Sequence, residues 1–506
     1  MLSNFFYIYY DKLNTFINKH IDLLIYIATI SCFVIYLAVR IKLIFAYSPD
    51  VSLFENNNIW NVQKVLLGNK IYTNPEEAPF EIYQYMPMSQ YPVIWVSKGL
   101  SLKPGIDLKK IYEVARTLGL FYMLICIGFV FFALTKWFKI STLLACITSV
   151  ISFIGLTGLS FTLRPDGLFT FTFIISLLFF LRYLKNEKTV DLVMTSFFSV
   201  LAIFTKQNGI QLPIIYFGFL FVFTNLKTLG KFTLFYFCFF FLFFFWFYFF
   251  LGHQFLKSIL IGINNPSSFR WAYRVWNEYF FNYFPFVIGF LYVSYEFLKR
   301  EKNNIEKFLS LAIIGTFLFA IVTLTKKGSW INYFSEFFVI GNIAIAFGLN
   351  SLLKNNSLIG NKIKTLIFVF ICFWGTNIIS QKGYAYFEKW YWEFDPKKNF
   401  YEEKEIADFI INQNIPKGTY IYTPLKHLKN FIPQYSILPN TEFYHLSSID
   451  LSKVRKYSLN GKLAYIILPS SEFPDYIMKN LNIEGSNYKL IKKINKISIY
   501  KHEQLF

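Results

Sequence analysis

Residues 47–92 read YSPDVSLFENNNIWNVQKVLLGNKIYTNPEEAPFEIYQYMPMSQYP. This stretch follows the first long apolar run, and it is the longest polar interruption before residue 384. It carries two acids, Asp50 and Glu55, where the chain leaves that run. We predict that the rest of the chain is a frame that brings other polar loops up against this one.

The composition and the spacing of apolar residues indicate a polytopic membrane protein. Of the 506 residues, 55% are hydrophobic and 64 are Phe. The apolar residues fall in runs of about 18 or more with almost no charge, which is the signature of transmembrane helices. The predicted spans lie at 21–46, 111–134, 141–160, 167–182, 190–205, 210–224, 232–251, 283–298, 308–325, 337–353 and 364–381.

The basic residues indicate how these spans are oriented. The net charge is +20, but this charge lies mostly in short loops, so we expect no nucleic-acid partner. With the N-terminus inside, sixteen Lys and Arg fall in inner segments and seven in short outer loops. The positive-inside rule then places the N-terminus in the cytoplasm and residues 48–110 outside. We expect a multi-pass protein of the plasma (inner) membrane whose first span is retained rather than cleaved.

The remaining soluble segment, residues 384–506, predicts a small α/β domain outside the membrane, next to a transmembrane domain of residues 1–383. EEKEIADFIINQN (402–414) has apolar residues at helical spacing and ends before Pro416. TYIYT, LAYIILP and KISIYKH are typical of short strands.

Several common kinds of site are absent from the sequence. The five cysteines lie in apolar runs, form no CxxC and are not near a His, which argues against disulfides and zinc. There is no GxGxxG, Walker, HExxH or GxSxG motif. We therefore expect no cofactor, and soluble nucleotide chemistry has no site here.

Residues 48–110 are called the first outer loop below, and the two acids at its start, Asp50 and Glu55, each have an alternative role. Ser52 and Glu55 fit a capping box, and Gly68 suits the end of the helix that this box would begin. Glu55 is therefore either a helix cap or a catalytic acid. Asp50 precedes the cap and lies at the membrane exit, where a carboxylate could accept a proton from a hydroxyl.

Aromatic residues in the same loop form a candidate platform for a sugar or an acceptor. Tyr72, Tyr83 and Tyr85 lie among prolines and polar residues. The alternative is an interfacial aromatic belt. Asp166 and Tyr333, in other outer loops, are candidates for the same platform, although Asp166 could simply pair with Arg164.

Cations concentrate at the outer ends of several spans, where few are expected. A converging set of Arg and Lys would suit a lipid-linked phosphate. The alternative is snorkelling towards lipid headgroups. The candidates are Arg164, Lys206, Arg270, Arg274, Lys326 and Lys327.

The order of these motifs resembles the GT-C superfamily of polyprenyl-phosphate-sugar-dependent glycosyltransferases, which includes protein mannosyltransferases and aminoarabinose transferases. The first span is followed at once by Asp50, then LLGNKIYTNP (66–75) and YQYMPMSQYP (83–92). Arg116 starts the second span, and RPD (164–166) and TKQ (205–207) flank later ones. In some members the two loop acids are adjacent, whereas here they are five residues apart, which leaves the role of Glu55 open.

The resemblance implies a hexosyl or pentosyl transfer from a polyprenyl-phosphate-sugar donor to an envelope glycan, glycolipid or protein. Asp50 would be the general base, the anomeric carbon would be inverted, and the cations would meet the leaving phosphate. A divalent metal is possible, as in oligosaccharyltransferase relatives. The alternatives are a flippase or carrier, a ligase or polymerase for lipid-linked glycans, and a scaffold of an envelope complex.

Overall fold

The computed structural model describes residues 2–45, 55–74, 76–81, 83–156, 158–263, 266–300, 303–355, 357–384, 396–416, 418–423, 425, 427–437, 452–469 and 487–505. Asp50 and Ser52 lie outside these ranges.

Helices dominate the described chain up to residue 384. They are α1 (Leu2–Phe45), α2 (Glu55–Leu66), α3 (Tyr91–Gly99), α4 (Leu108–Phe132), α5 (Thr142–Gly155), α6 (Pro165–Asn186), α7 (Thr189–Thr205), α8 (Gln211–Phe223), α9 (Leu226–Leu251), α10 (Gln254–Ile263), α11 (Phe269–Leu298), α12 (Asn304–Leu324), α13 (Ser335–Asn355), α14 (Ser357–Phe370) and α15 (Thr376–Tyr384).

The helices confirm a polytopic α-helical membrane protein. Among the described residues, seven helical segments are long and apolar enough to cross a bilayer, and four further apolar helices are shorter. Together they coincide with the eleven predicted spans. The apolar runs therefore located these helices correctly, and seven of them have the length and lack of charge that a bilayer requires.

Two helices begin well before the predicted spans. The helix α1 starts at Leu2 rather than near residue 21, although its bilayer-length apolar part is His20–Phe45. Residues 269–280, predicted to be part of a loop, form the first turns of α11. The Ser268 hydroxyl accepts a hydrogen bond from the backbone N–H of Trp271 and so caps this helix. A prediction of spans uses only the length of the apolar run, so it misses helical turns that extend beyond that run.

The C-terminal segment has the predicted α/β composition. Its helices are α16 (Pro396–Ile411), α17 (Leu428–Phe431) and α18 (Ser452–Leu459). Its strands are β1 (Tyr420–Tyr422), β2 (Ser436–Ile437), β3 (Leu463–Pro469), β4 (Tyr488–Ile494) and β5 (Ile497–His502). The sheet order is β2-β1-β3-β5-β4, with β1 parallel to β2 and β3, and β5 antiparallel to β3 and β4.

The three predicted strands correspond to β1, β3 and β5, whereas β2 and β4 were not predicted. The sequence of β4, YKLIKKI, has three lysines, and its burial alternates only weakly. Charged residues are common on edge strands, where they discourage further pairing. The apolar face of α16 packs on this sheet through Ile406 and Ile410, which are fully buried.

The helix α2 joins the membrane part to the C-terminal sheet domain through a seam of polar groups. Gln63 Nε2 donates to Asn430 Oδ1 over 3.0 Å, and Asn430 Nδ2 donates to the carbonyl of Asn56 over 3.3 Å. Lys429 Nζ donates to Asn57 Oδ1. Because these polar groups are paired with each other, they can be buried between the two parts without large cost.

An apolar contact supports the same seam. Phe80 of the first outer loop is buried with Tyr422, Leu463 and Ile466 of the sheet domain. Its ring meets that of Tyr457 edge-on, with centroids 5.7 Å apart. The first outer loop is thus packed between the membrane helices and the C-terminal domain.

Candidate functional site: a cationic cavity between the loops

A cavity of about 250 Å³ lies where the first outer loop meets the ends of α6, α7 and α12. It is lined by residues from four segments that are far apart in sequence. These residues are Gln84, Tyr85, Arg164, Lys206, Gln207, Asn208, Ile210, Phe319, Thr323, Lys326, Lys327, Gly328, Ser329, Asn332 and Tyr333. Four of the six predicted cations and two of the five predicted platform residues therefore share one cavity.

One buried carboxylate, Asp166, holds the inner wall of this cavity together. Lys206 Nζ lies 2.8 Å from Asp166 Oδ1, and Arg164 Nε lies 3.4 Å from Asp166 Oδ2. Asn332 Nδ2 also donates to Asp166 Oδ1. Since Pro165 opens α6, the carboxylate lies in the first helical turn, where the helix dipole favours negative charge. Asp166 therefore positions cations.

Lys206 follows the last residue of α7 and is 4% exposed. Its Nζ lies 4.4 Å from the centroid of the Tyr333 ring, within cation–π range. Burial lowers the pKa of Lys206, but Asp166 and other nearby groups raise it more, so the net pKa shift is upward. The side chain is a fixed positive charge at the cavity wall.

A close backbone approach sets the turn that carries Lys206. A Cβ on Gly209 would lie 2.4 Å from the backbone N of Ile203, so only glycine fits there. In the same turn, the side chain of Gln207 reaches the first outer loop, where its Nε2 donates to the carbonyl of Gln84. Gly209 is thus required for the close packing of this turn against α7.

The first outer loop is also attached at Tyr85. Arg164 Nη2 donates to the Tyr85 hydroxyl over 3.3 Å, and the Tyr72 hydroxyl donates to the Tyr85 carbonyl over 2.7 Å. Tyr72 and Tyr83 are buried behind the cavity, with ring centroids 5.3 Å apart. Burial raises the pKa of both phenols well above the ordinary value. These two tyrosines support the loop, whereas Tyr85 and Tyr333 face the cavity.

Lys326 and Lys327 are held on a turn just beyond α12. The backbone N–H of Lys327 donates to the Pro266 carbonyl over 3.0 Å, and Ser267 forms an antiparallel bridge with Lys326. Gly328 has φ +85°, a conformation that glycine adopts readily. This pairing fixes the approach of both lysines to the cavity.

Arg270 and Arg274 are placed differently. They lie on the first turns of α11, are exposed and do not line the cavity. They are four residues apart on the helix, and the structure does not bring them into the cavity with the other four cations.

Glu55, the first residue of α2, is fully buried and does not line the cavity. Its carboxylate accepts two hydrogen bonds from Arg116, Nε to Oε1 over 3.0 Å and Nη2 to Oε2 over 2.7 Å. Arg116 Nη1 also donates to the Leu43 carbonyl near the end of α1, over 3.4 Å. One arginine therefore links the end of α1 to the start of α2.

The sequence did not single out the amides of the cavity. Gln84, Gln207, Asn208 and Asn332 all line it. Each is next to, or within two residues of, a predicted tyrosine or cation, and this is the only signal that the sequence carries. Among the described residues there is no group of three or more His, Cys, Asp or Glu that could hold a metal ion.

No protein-family model matches this chain, and no curated protein matches it by sequence. Solved structures do match. ArnT from Cupriavidus metallidurans bound to undecaprenyl phosphate has a TM-score of 0.58 at 13% identity, covering 93% of this chain and 98% of that chain. The apo state of that ArnT has a TM-score of 0.59 at 11% identity, covering 92% and 97%.

A second kind of protein matches as well. The archaeal oligosaccharyltransferase AglB from Archaeoglobus fulgidus, in complex with an inhibitory peptide and a dolichol-phosphate, has a TM-score of 0.57 at 13% identity. The match covers 89% of this chain and 70% of that chain. Both neighbours have the GT-C architecture. The chain therefore has the GT-C fold over most of its length, which confirms the resemblance found in the sequence.

Proposed function

We propose that this protein is a membrane glycosyltransferase that moves a hexosyl or pentosyl unit from a polyprenyl-phosphate donor to an envelope glycan, lipid or protein. The observation that carries the proposal is the cavity with Arg164, Lys206, Lys326 and Lys327 in its wall, in a chain with the GT-C fold. The matching ArnT and AglB structures hold undecaprenyl phosphate and dolichol-phosphate, respectively.

The four cations bind the donor phosphate and stabilise the charge that develops when the sugar leaves. Charge-assisted hydrogen bonds to phosphate are the strong ones, and fixed charges cost no reorganisation during the reaction. Lys206 suits this role because Asp166 and Tyr333 already fix its ammonium group. Asp166 is held by Lys206 and Arg164, so it acts as their positioning residue.

Asp50, which lies outside the described residues, is the proposed general base. It takes the proton of an acceptor hydroxyl while that oxygen forms a bond to the anomeric carbon. The bond from this carbon to the phosphate oxygen breaks in line, so the carbon is inverted and polyprenyl phosphate leaves. In sequence, Asp50 falls between the end of α1 at Phe45 and the start of α2 at Glu55.

We propose the same orientation that the basic residues predict, with the cavity on the outer face of the plasma (inner) membrane. This orientation is supported because the distribution of Lys and Arg assigns every loop that lines the cavity to the same side of the membrane. The C-terminal domain contacts α2 and therefore lies on that side too. Residues 1–383 then form the transmembrane domain and residues 384–506 the extracytoplasmic one.

The test is mass spectrometry of envelope glycans and glycolipids from cells carrying the intact protein, a deletion, Asp50→Asn or Lys206→Met at matched membrane abundance. We expect one sugar unit to be missing in the deletion and in both variants. Glu76→Gln is the matched control, because Glu76 lies in the same loop and does not line the cavity. If the deletion alters the glycans and neither variant does, the protein is a carrier or a scaffold.

A further inference from the structure

Two amide side chains, those of Gln84 and Asn208, line the cavity and are half-buried. Neither side chain makes a hydrogen bond to another described residue, and the amide atoms of both retain accessible surface. The other two amides of the cavity are engaged, because Gln207 donates to the Gln84 carbonyl and Asn332 donates to Asp166. Of the four amides, Gln84 and Asn208 are therefore the two that are open to a molecule in the cavity.

The backbone that carries Gln84 is held in place. Its carbonyl accepts the hydrogen bond from Gln207. The hydroxyl and the carbonyl of the next residue, Tyr85, are hydrogen-bonded to Arg164 and Tyr72, respectively. A side chain on a backbone that is already fixed costs less conformational entropy to order when a ligand binds, so this position suits recognition.

The backbone of Asn208 is fixed as well. The residue lies in the short turn Gln207–Ile210, and its carbonyl accepts a hydrogen bond from the backbone N–H of Gln211. The N–H of Gly209 donates to the Lys206 carbonyl over 2.8 Å, which closes the turn around Asn208. Because the Gln207 side chain of this turn is bonded to the Gln84 carbonyl, both open amides belong to the same part of the cavity wall.

We propose that Gln84 and Asn208 determine the sugar specificity by forming hydrogen bonds with hydroxyl groups of the donor sugar. This inference rests on the proposed function, in which the neighbouring Lys206 and Arg164 bind the donor phosphate. Lys206 is two residues before Asn208, and Arg164 is bonded to the Tyr85 hydroxyl next to Gln84. Because the sugar is attached directly to the phosphate, a donor held by these cations has its sugar beside the two amides.

The chemistry of an amide matches a sugar better than a phosphate. A carboxamide has an acceptor oxygen and two N–H donors, and a hydroxyl likewise donates and accepts, whereas an ionised phosphate only accepts. A sugar hydroxyl that displaces water from an amide preserves the hydrogen bonds of that amide, whereas an apolar group does not. A sugar that lacks the matching hydroxyl leaves an amide unpaired in the cavity, so it is bound more weakly.

The experiment measures the Kd of the purified full chain for bare undecaprenyl phosphate and for undecaprenyl phosphate linked to mannose, glucose, galactose or arabinose. We expect at least one sugar to improve binding. Gln84→Ala and Asn208→Ala should each leave Kd for the bare lipid within about twofold. Each should weaken binding of that sugar-linked lipid by about fivefold, the value of one hydrogen bond. Both changes keep the backbone hydrogen bonds of the wall.

Deoxy forms of the best-bound sugar make the test specific for recognition of a hydroxyl. In the wild-type protein, removing the hydroxyl that one amide binds should weaken binding by about fivefold. In the matching Ala variant, the same removal should have no further effect, because the partner of that hydroxyl is already absent.

Thr323→Val is the matched control. Thr323 lines the same cavity, but its hydroxyl already donates to the backbone carbonyls of Phe319 and Ala320. It should therefore preserve the gain from the sugar.

Equal weakening of bare and sugar-linked lipid by the Ala variants would overturn the inference, since it would mean a structural role for the two amides. Additive losses from the Ala variants and the deoxy sugars would overturn it too, because the hydroxyls would then be bound elsewhere. If the wild-type protein binds the bare lipid but no sugar in the set improves binding, the inference fails and the phosphate site stands. If the wild-type protein binds none of these lipids, the proposed donor class fails, and the inference fails with it.

Discussion

At the scale of single residues, the charge state of Lys206 contributes to the pH dependence of phosphate binding in the cavity. Its pKa in the folded protein is raised above the ordinary value of 10.5, because Asp166 and neighbouring groups outweigh the effect of burial. Because this pKa is raised, the stability that the charged Lys206 contributes to the fold is fully present below the unfolded-state pKa. It is lost only as pH rises through the folded-state pKa.

We therefore expect binding of undecaprenyl phosphate to depend little on the ionisation of Lys206 between about pH 7 and pH 9. Kd measured across this range should stay within about twofold, because a phosphomonoester with a second pKa of about 6 is mostly doubly ionised there. A loss of affinity centred near pH 8 would contradict the buried pair of Lys206 and Asp166.

The cations could be predicted at this scale, but the amide that donates to Asp166 could not. Arg164, Lys206, Lys326 and Lys327 are conspicuous because charge at the outer end of a span needs a reason. Asn332 has no such signal, since an Asn between Ile and Tyr is unremarkable in sequence. Its place in the cavity wall depends on the hydrogen bond to Asp166, and a partner 166 positions away cannot be inferred from the local sequence.

At the scale of elements, Arg116 of α4 decides how α1 and α2 are joined. It contacts the Leu43 carbonyl on one side and the Glu55 carboxylate on the other. One side chain therefore contacts described residues on both sides of the segment that carries Asp50. Glu55 therefore has a structural role, the buried ion pair with Arg116, that is separate from catalysis.

We expect Glu55→Gln to destabilise the fold by roughly 3–5 kcal/mol, because it leaves the buried Arg116 cation without its carboxylate. Thermal unfolding in detergent measures the loss. The combined change Arg116→Met and Glu55→Leu should recover much of it, since no buried charge remains. A Glu55→Gln protein with normal stability and no transfer would instead make Glu55 a catalytic acid.

The elements themselves were predictable to different degrees. Every apolar span became a helix, because a bilayer accepts little else. The start of α11 was not predictable in this way, since FRWAYRVWNEYF (269–280) is too polar for a span and its helix depends on the Ser268 cap and on packing. The edge strand β4 was missed because its lysines hide the strand pattern.

At the scale of the whole molecule, the C-terminal domain docks on α2 and so fixes the position of this part of the first outer loop. Asn430 makes two of the contacts, to Gln63 and to the Asn56 carbonyl. The sequence predicted the domain but not its docking, because the contacts are polar and span more than 360 residues.

We expect Asn430→Ala to weaken this docking by roughly 1–3 kcal/mol, since it removes the acceptor of the Gln63 amide nitrogen and the hydrogen bond to the Asn56 carbonyl. Amide hydrogen exchange of α2 should accelerate and sugar transfer should fall, while binding of bare undecaprenyl phosphate stays near normal. Lys489→Ala on β4 is the control, because Lys489 is exposed on the far edge of the sheet. Unchanged exchange in α2 would contradict the docking.

The seam between α2 and the C-terminal domain also has a consequence for biosynthesis. Gln63 and its partner Asn430 are separated by 367 positions, so a ribosome adding about 5–20 residues per second makes them on the order of 20–70 s apart. During that interval the amide-rich face of α2 has no sheet domain to cover it. The first outer loop therefore reaches its final packing only after the C-terminal domain has been made. In an unfinished chain, the residues of that domain that contact α2 are missing.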